Sequence, residues 1–587
     1  MNRIVHIIVS AFIITSCNFL EPLEQGTIGS DNIKDSPSYV RGFVETGYKL
    51  LPTTYVSNEY AYLDAAADNL VMTSRSSAMS NIWAGTLSPM TDPFEVTWDR
   101  AYRAINYANM FLQDDFGKSM RFVVKDATNK ALAARLQGEA FAIRAWYQYM
   151  LLRMFSGKSD NGELLGFPIR TEPTNFRAIQ PLELRRDSFD DCVARILADC
   201  DSALYYLPKA YRDSEMTDPN VDGSIGFHRF DKISMLAIKA LTCLQWASPA
   251  FNEMGDDSRW EKAATYSYAA MQLKLEVDTP LGFDPLKAFD WGDANSPEII
   301  FSSVAVKSSV EETAFYPAGF CDGEAIAGPS QELVDAFPMA NGYPITHPAS
   351  GYNPSKPFEG RDPRFYANIY YHLSSIGGAY ELDTSVGGRE EPGLKGNSLT
   401  GYYIRKFTNP EYNKNNTPVI LGNKSLMHIR WTHICLAFAE SANRALGSAN
   451  DSSFGISAKE ALSYVRHRAL PGGIDGMCVL SDPYLDECAL NTDKFDQLVR
   501  NERRIETCFE GLRFFDLQRW SAGDSGDSNC LNVDLNKMTV TGTPGAWEYK
   551  TAIVAEHRYA SRWLPIPYNE VGTAFNIKQN VGWDAWK

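Results

Sequence analysis

The sequence lacks a cationic surplus: 56 Lys and Arg stand against 72 Asp and Glu, a formal net charge of −16. That excludes a nucleic-acid backbone as partner, because such binding needs a basic surface. Metal-ligand spacing is also missing. The nine cysteines after Cys17 (Cys192, Cys200, Cys243, Cys321, Cys435, Cys478, Cys488, Cys508, Cys530) form no CxxC and pair with no histidine motif, so neither a zinc site nor any other cofactor is expected. They read as small core residues, although Cys478 could bridge to Cys488 or Cys530. There is no nucleophile elbow, zincin helix, phosphate-binding glycine loop or catalytic triad. No apolar run reaches the roughly 20 residues of a membrane-spanning helix.

What is present begins with a leader. Arg3 precedes an apolar run from Ile4 to Ile14, then Thr15, Ser16 and Cys17. This is the pattern of a secretory signal ending in a lipobox, so residues 1–16 are expected to be removed and Cys17 to carry acyl chains. Residues 17–35, with Glu21, Pro22 and Glu24, read as a spacer between lipid and fold. Hydrophobic content of 44% then allows a large core.

Helical spacing dominates residues 36–274. Phe94, Trp98, Tyr102 and Ile105 recur three or four apart, and an alanine-rich helix is predicted from about Lys130 to Phe155. Further helices are predicted over Phe189 to Leu207, ended by Pro208, then Phe230 to Trp246 and Trp260 to Met271. Paired helices of this length look like tetratricopeptide units. Residues 275–587 open with a Gly, Pro, Tyr and Asn-rich stretch to about 425, carrying short strands such as Glu298 to Val306 and Tyr402 to Phe407. Helices return at Met427 to Ala445, Ser457 to Ala469 and Lys494 to Trp520. Residues 521–550 are rich in Gly, Asp and Ser. The fold class predicted is mostly α, a scaffold of helical pairs with an irregular loop-rich subdomain and a few short strands.

The most distinctive segment is R500-N-E-R-R-I-E-T-C-F-E-G-L-R-F-F-D-L-Q-R-W520. Arginine forks and carboxylates alternate at helical spacing around Gly511, a pattern able to lock helix to loop. The segment closely resembles the signature of the SusD/RagB family, matched by Glu502, Arg503, Arg504, Glu506, Glu510, Gly511, Arg513, Asp516, Leu517, Arg519 and Trp520. The tail Leu564-Pro565-Ile566-Pro567, Glu570, Gln579-Asn580 and Gly582-Trp583 resembles that family's ending. Shorter matches include Asp362-Pro363-Arg364, Lys406-Phe407, Arg430 and Arg466. Thr507-Cys508-Phe509 departs from the more aliphatic family pattern.

The resemblance implies a non-enzymatic, lipid-anchored outer-membrane protein facing the exterior. It would bind glycan, or peptide in RagB-like relatives, and deliver it to a SusC-like TonB-dependent transporter. It also implies that the signature residues are structural. Sugar sites need aromatic platforms beside planar polar groups. Two loops offer them: Asp68, Asn69, Arg75, Asn81 and Trp83 in the first, and Trp291, Tyr316, Phe320 and Asp322 in the second. Trp83, Asn81, Arg75, Tyr316, Phe320 and Trp291 are therefore the candidate ligand residues, with Trp83 foremost. The rival readings are an all-helical glycosidase and a pure assembly scaffold. A glycosidase needs a carboxyl that can stay protonated, and the arginine-rich cluster opposes that.

Overall fold

A computed structural model describes residues 36–113, 116–174, 184–219, 221–284, 295–416, 418–470, 482–521, 531–574 and 576–583. The leader, Cys17, Trp291, Cys478 and Cys530 lie outside these residues.

Helices α1 (Pro37–Lys49), α2 (Glu95–Leu112), α3 (Asp126–Phe155), α4 (Phe189–Tyr206), α5 (Lys232–Ala247) and α6 (Ser258–Asp278) pack each against the next in chain order. Succession of this kind is the logic of a helical-repeat scaffold, in which each unit covers the apolar face of its neighbour. Local chemistry sets the starts. Ser188 caps α4 by accepting from the Asp191 backbone N–H at 3.0 Å. Asp231 and Ser234 cap α5 reciprocally, at 2.8 Å each way. α3, 30 residues long, is buried on nearly every side, and its small residues let partners close in. A Cβ at Gly138 would lie 2.9 Å from both Tyr206 and Leu207, so α4 can approach only a glycine there.

The succession resumes after a long detour. α6 packs directly on α7 (Trp431–Leu446), although some 150 residues separate them, and α7 in turn meets α8 (Ala458–Ala469) and α9 (Thr492–Glu506). The irregular section is thus an insertion into a continuous stack. Its neck is closed by strands β1 (Ile299–Ser302) and β2 (Met427–Arg430), paired antiparallel where the chain leaves and returns. The sequence places Met427 to Arg430 at the start of a helix. They form a strand instead, because they pair in antiparallel register with Ile299–Ser302 across the neck, and the helix begins only at Trp431. Among the described residues the β structure consists of two-stranded ribbons.

The longest ribbon was not legible in the sequence. β3 (Asp534–Thr543) and β4 (Ala546–Glu556) form a hairpin within and beyond the stretch read as Gly, Asp and Ser-rich. The long helix expected over Lys494 to Trp520 is two helices, α9 and α10 (Arg513–Trp520), divided at Thr507 to Leu512. Gly511 makes that corner at φ +72°, where a Cβ would stand 2.6 Å from the Glu59 carbonyl oxygen and 2.7 Å from Tyr60 Cα. Only glycine meets both demands.

Around the corner lies a buried ionic network. Arg430, fully buried, donates to Glu510 at 2.8 and 3.0 Å, Glu298 at 2.9 Å, Glu506 at 3.2 Å and the Glu506 carbonyl at 2.9 Å. Lys406 donates to Glu510 at 2.8 Å and to the Glu506 and Cys508 carbonyls at 2.9 Å. Arg364 reaches Asp362, Glu502 and Glu506, while Arg466 joins Asp482 to Glu502. Farther along, Arg503 and Arg519 share Asp516, and Arg519 forks onto Glu440 at 2.6 Å twice. Each carboxylate meets a guanidinium or ammonium group, which is the condition for burying so many charges. The network ties the neck strand, the inserted section and α7 to α10 together.

The tail closes on the end of α3. Asn580 donates to the Phe155 carbonyl at 3.1 Å and to the Leu564 carbonyl at 2.7 Å, and Gln579 pairs with both backbone groups of Ile566.

Candidate functional site

The two loops singled out in the sequence leave the same end of one small ribbon. Leu70–Met72 pairs antiparallel with Ala327–Pro329, and the Thr73 N–H extends the ladder to the Ile326 carbonyl at 2.8 Å. Past Thr73 the first loop runs through Arg75 into the short helix Ala78–Trp83, capped by Ser77 at 3.1 Å from the Ser80 N–H. Before Ile326 the second loop carries Tyr316 and Phe320. Neighbouring loops on a rigid ribbon are a usual place for ligand contacts.

In the first loop, Arg75 is exposed and its side chain has no partner among the described residues. Asn81 is half-buried, with its side-chain oxygen 3.4 Å from the Thr86 hydroxyl. Trp83, also half-buried, stacks on His557 with centroids 5.0 Å apart and planes 19° from parallel. Its indole N–H is buried without an acceptor. Burial pushes His557 down to about 4, so it meets the indole as a neutral ring. Asp68 and Asn69 serve a different end. Asp68 accepts from Arg513 at 2.7 and 2.9 Å and from Arg504 at 3.0 Å, and Asn69, fully buried, accepts from Arg504 at 2.9 Å. Burial would raise the Asp68 carboxyl, but Arg504 and Arg513 outweigh it and hold it well below the ordinary range. These two residues moor the loop to the signature segment and are not open to a ligand.

In the second loop, Tyr316 is fully buried and donates to the Asn409 carbonyl at 3.1 Å. It forms the floor beneath Phe320, whose ring lies 5.3 Å from Tyr316 and 5.0 Å from Tyr380. The Arg389 guanidinium covers Tyr380 at 4.0 Å and pairs with Glu390 at 2.5 Å. Tyr380 donates to the same carboxylate at 2.6 Å. Phe320, Tyr380 and Arg389 therefore form one half-exposed surface, an aromatic pair with a planar donor alongside. Close by, Cys321, Asp322 and Ala325 all adopt positive φ, at 57°, 52° and 45°. Strain of about 1–3 kcal/mol at each such residue is tolerated where a loop shape matters. Lys414 pairs with Asp322 across the loop. Tyr380 and Arg389 were missed in the sequence because they lie 60 or more residues from Phe320 in a glycine-rich run without periodicity.

Acid–base chemistry finds no footing in the signature. Glu506 and Glu510 would be raised by burial, but Arg468, Arg430 and Arg364 around the first, and Arg430, Lys406 and His433 around the second, hold both well below the ordinary range. Such carboxylates stay ionised and cannot donate a proton. Burial does push Asp64 up to about 6, but it is sealed beneath Asn69 and the Phe509 N–H. No cluster of His, Cys, Asp and Glu among the described residues could hold a metal ion, and no described helix is long and apolar enough to cross a membrane.

Comparison with known proteins agrees with this architecture. A profile described as "SusD family" matches residues 297–583, and one described as "Starch-binding associating with outer membrane" matches residues 19–227. A SusD-like protein from Bacteroides fragilis superposes with a TM-score of 0.70 at 22% identity, covering 94% of this chain and 98% of its own. A SusD-like carbohydrate binding protein from the same species gives 0.67 at 18% identity, covering 93% and 99%. Surface glycan-binding protein A from Bacteroides uniformis gives 0.59 at 16% identity, covering 94% and 100%. No curated protein sequence matches the chain. With two profiles spanning most of its length and the same fold throughout, the chain belongs to the SusD/RagB family.

Proposed function

We propose that this chain is a cell-surface glycan-binding lipoprotein, anchored through Cys17 to the outer membrane and facing outward. It captures oligosaccharides or polysaccharides and passes them to a SusC-like TonB-dependent transporter without cleaving them. The observation that carries the binding reading is the Phe320, Tyr380 and Arg389 surface, standing beside strained loop residues. Aromatic faces stack on the C–H faces of pyranose rings, while guanidinium and amide groups pair with hydroxyls. Trp83, Asn81 and Arg75, on the loop leaving the same ribbon, are the partners we assign to that surface. Trp291 is assigned with them from the sequence alone. Tyr316 acts beneath the surface as its support. The family description "associating with outer membrane" and the neighbours described as carbohydrate or glycan binding favour the same reading.

Two properties follow. Absence of turnover is expected because the densest carboxylate cluster is neutralised by arginine. A net charge of −16 favours neutral glycans over strongly sulfated ones. Calorimetric titration with neutral oligosaccharides tests the proposal. Binding that survives in both Trp83→Ala and Phe320→Ala at unchanged affinity would remove the assigned site. Binding of peptides with no glycan binding would transfer the fold to the RagB-like role.

A further inference from the structure

A cavity of about 50 Å³ lies inside the scaffold, far in character from the aromatic loops. α3 supplies Tyr149 and Arg153, α5 supplies Gln245, α9 supplies Arg503, and Phe515 and Asp516 come from α10. The space suits a few waters or one monatomic ion.

Charge around it does not balance. Arg503 and Arg519 are matched by Asp516 and Glu440. Arg153 is not matched: among the described residues no carboxylate reaches it. Its guanidinium lies 4.8 Å from the Phe515 ring centroid and 5.6 Å from that of Tyr149, one N–H points at Met150 Sδ at 3.4 Å, and its Nε is buried without an acceptor. Arg503, only 4% exposed, spends Nε and Nη2 on Asp516 and leaves Nη1 without an acceptor. The histidines on the wall do not supply the missing negative charge. His433 is bound to Glu510 at 2.8 Å. His428 sits between the Tyr60 hydroxyl at 2.5 Å and the Ser303 hydroxyl at 2.8 Å.

We propose that this cavity is a binding site for one small monovalent anion, chloride in size and charge, held between Arg153 and Nη1 of Arg503. Buried donors left unmade are costly, and those of a guanidinium more so than neutral ones. A single anion satisfies both arginines and cancels the charge of Arg153, which no carboxylate among the described residues reaches. Water accepts a hydrogen bond but leaves the charge standing. A doubly charged oxyanion brings more charge than the site has to offset. The apolar wall of Leu241, Leu244 and Phe251 favours an ion that sheds its hydration readily, as the heavier halides do.

The test uses the full chain in sodium gluconate, whose anion is too large for the cavity, titrated with sodium bromide at constant ionic strength. Tm is expected to rise and saturate with bromide for the wild type, and to lose that dependence in Arg153→Met. Crystals soaked in bromide are expected to give an anomalous peak in the cavity. No anomalous peak at bromide concentrations that saturate Tm, or an equal response of Tm in Arg153→Met, overturns the site. Should Arg153→Met not fold, the anomalous peak in the wild type decides alone.

Discussion

Replacement of Arg430 by Met offers the sharpest test of how the inserted section is fastened. Methionine keeps much of the volume and removes the charge, so the change acts chiefly on the network. In the native protein this guanidinium is fully buried and donates to three carboxylates, Glu298, Glu506 and Glu510. Deleting one partner of a buried pair costs about 3–5 kcal/mol, because uncompensated charge stays behind. Lys406, Arg364 and Arg468 remain nearby, which sets the expectation toward the lower end, near 3 kcal/mol at pH 7. The sign of the pH dependence is fixed as well. Glu506 and Glu510 have folded values below their ordinary one, so their contribution is present above about pH 4.5 and lost as pH falls through the folded values. Without Arg430 those values rise and the variant has less of that contribution to lose. The gap between wild type and Arg430→Met should therefore be widest at neutral pH and shrink below about pH 4.5. Urea unfolding at pH 7 and pH 4, followed by tryptophan fluorescence, measures both. A loss under about 1 kcal/mol, equal at the two pH values, would refute a network in which Arg430 is the central cation.

Gly511→Ala is expected to cost about 2–5 kcal/mol, from the left-handed backbone and the contacts with Glu59 and Tyr60, whereas Gly255→Ala, also at positive φ but in open space, should cost about 1–2 kcal/mol. Thermal unfolding of the pair separates clash from conformation. Burial raises Asp92 to about 7, and one of its oxygens has no donor, so its ionisation weakens the fold as pH rises from about 4 to 7. Asp92→Asn should therefore be more stable than wild type at pH 8, by a few kcal/mol at most, with the advantage gone near pH 4. Arg389→Ala should weaken glycan affinity without changing Tm by more than about 2 °C, since its side chain is 54% exposed and its partner Glu390 keeps the Tyr380 hydrogen bond. A Tm loss as large as that of Arg430→Met would make Arg389 structural.

Parts governed by local rules were legible along the chain. Apolar spacing marked α2 to α5 within a few residues and placed the start of α6, which runs on past Met271 to Asp278, and the alternation of arginine and acid from Arg500 to Trp520 marked a segment that locks elements together. The described cysteines are free, and six of them (Cys192, Cys200, Cys243, Cys435, Cys488 and Cys508) are buried, in keeping with core roles. The rest depends on contacts between residues far apart in the chain. Met427 to Arg430 read as helix because apolar residues suit both helix and buried strand, and pairing with Ile299–Ser302 selected the strand. The β3–β4 hairpin stayed hidden because β4 lies largely exposed and β3 buries only Leu535, Met538 and Val540, so alternation gave little signal. Asp68 and Asn69 looked like ligand residues until two arginines more than 400 residues away claimed them. Tyr380 and Arg389 became visible beside Phe320 only through the fold. Spacing along a chain encodes which face a residue occupies, but a half-exposed aromatic or a charge in a loop takes its role from whatever the fold brings within a few ångströms, and that is written nowhere near it in the sequence.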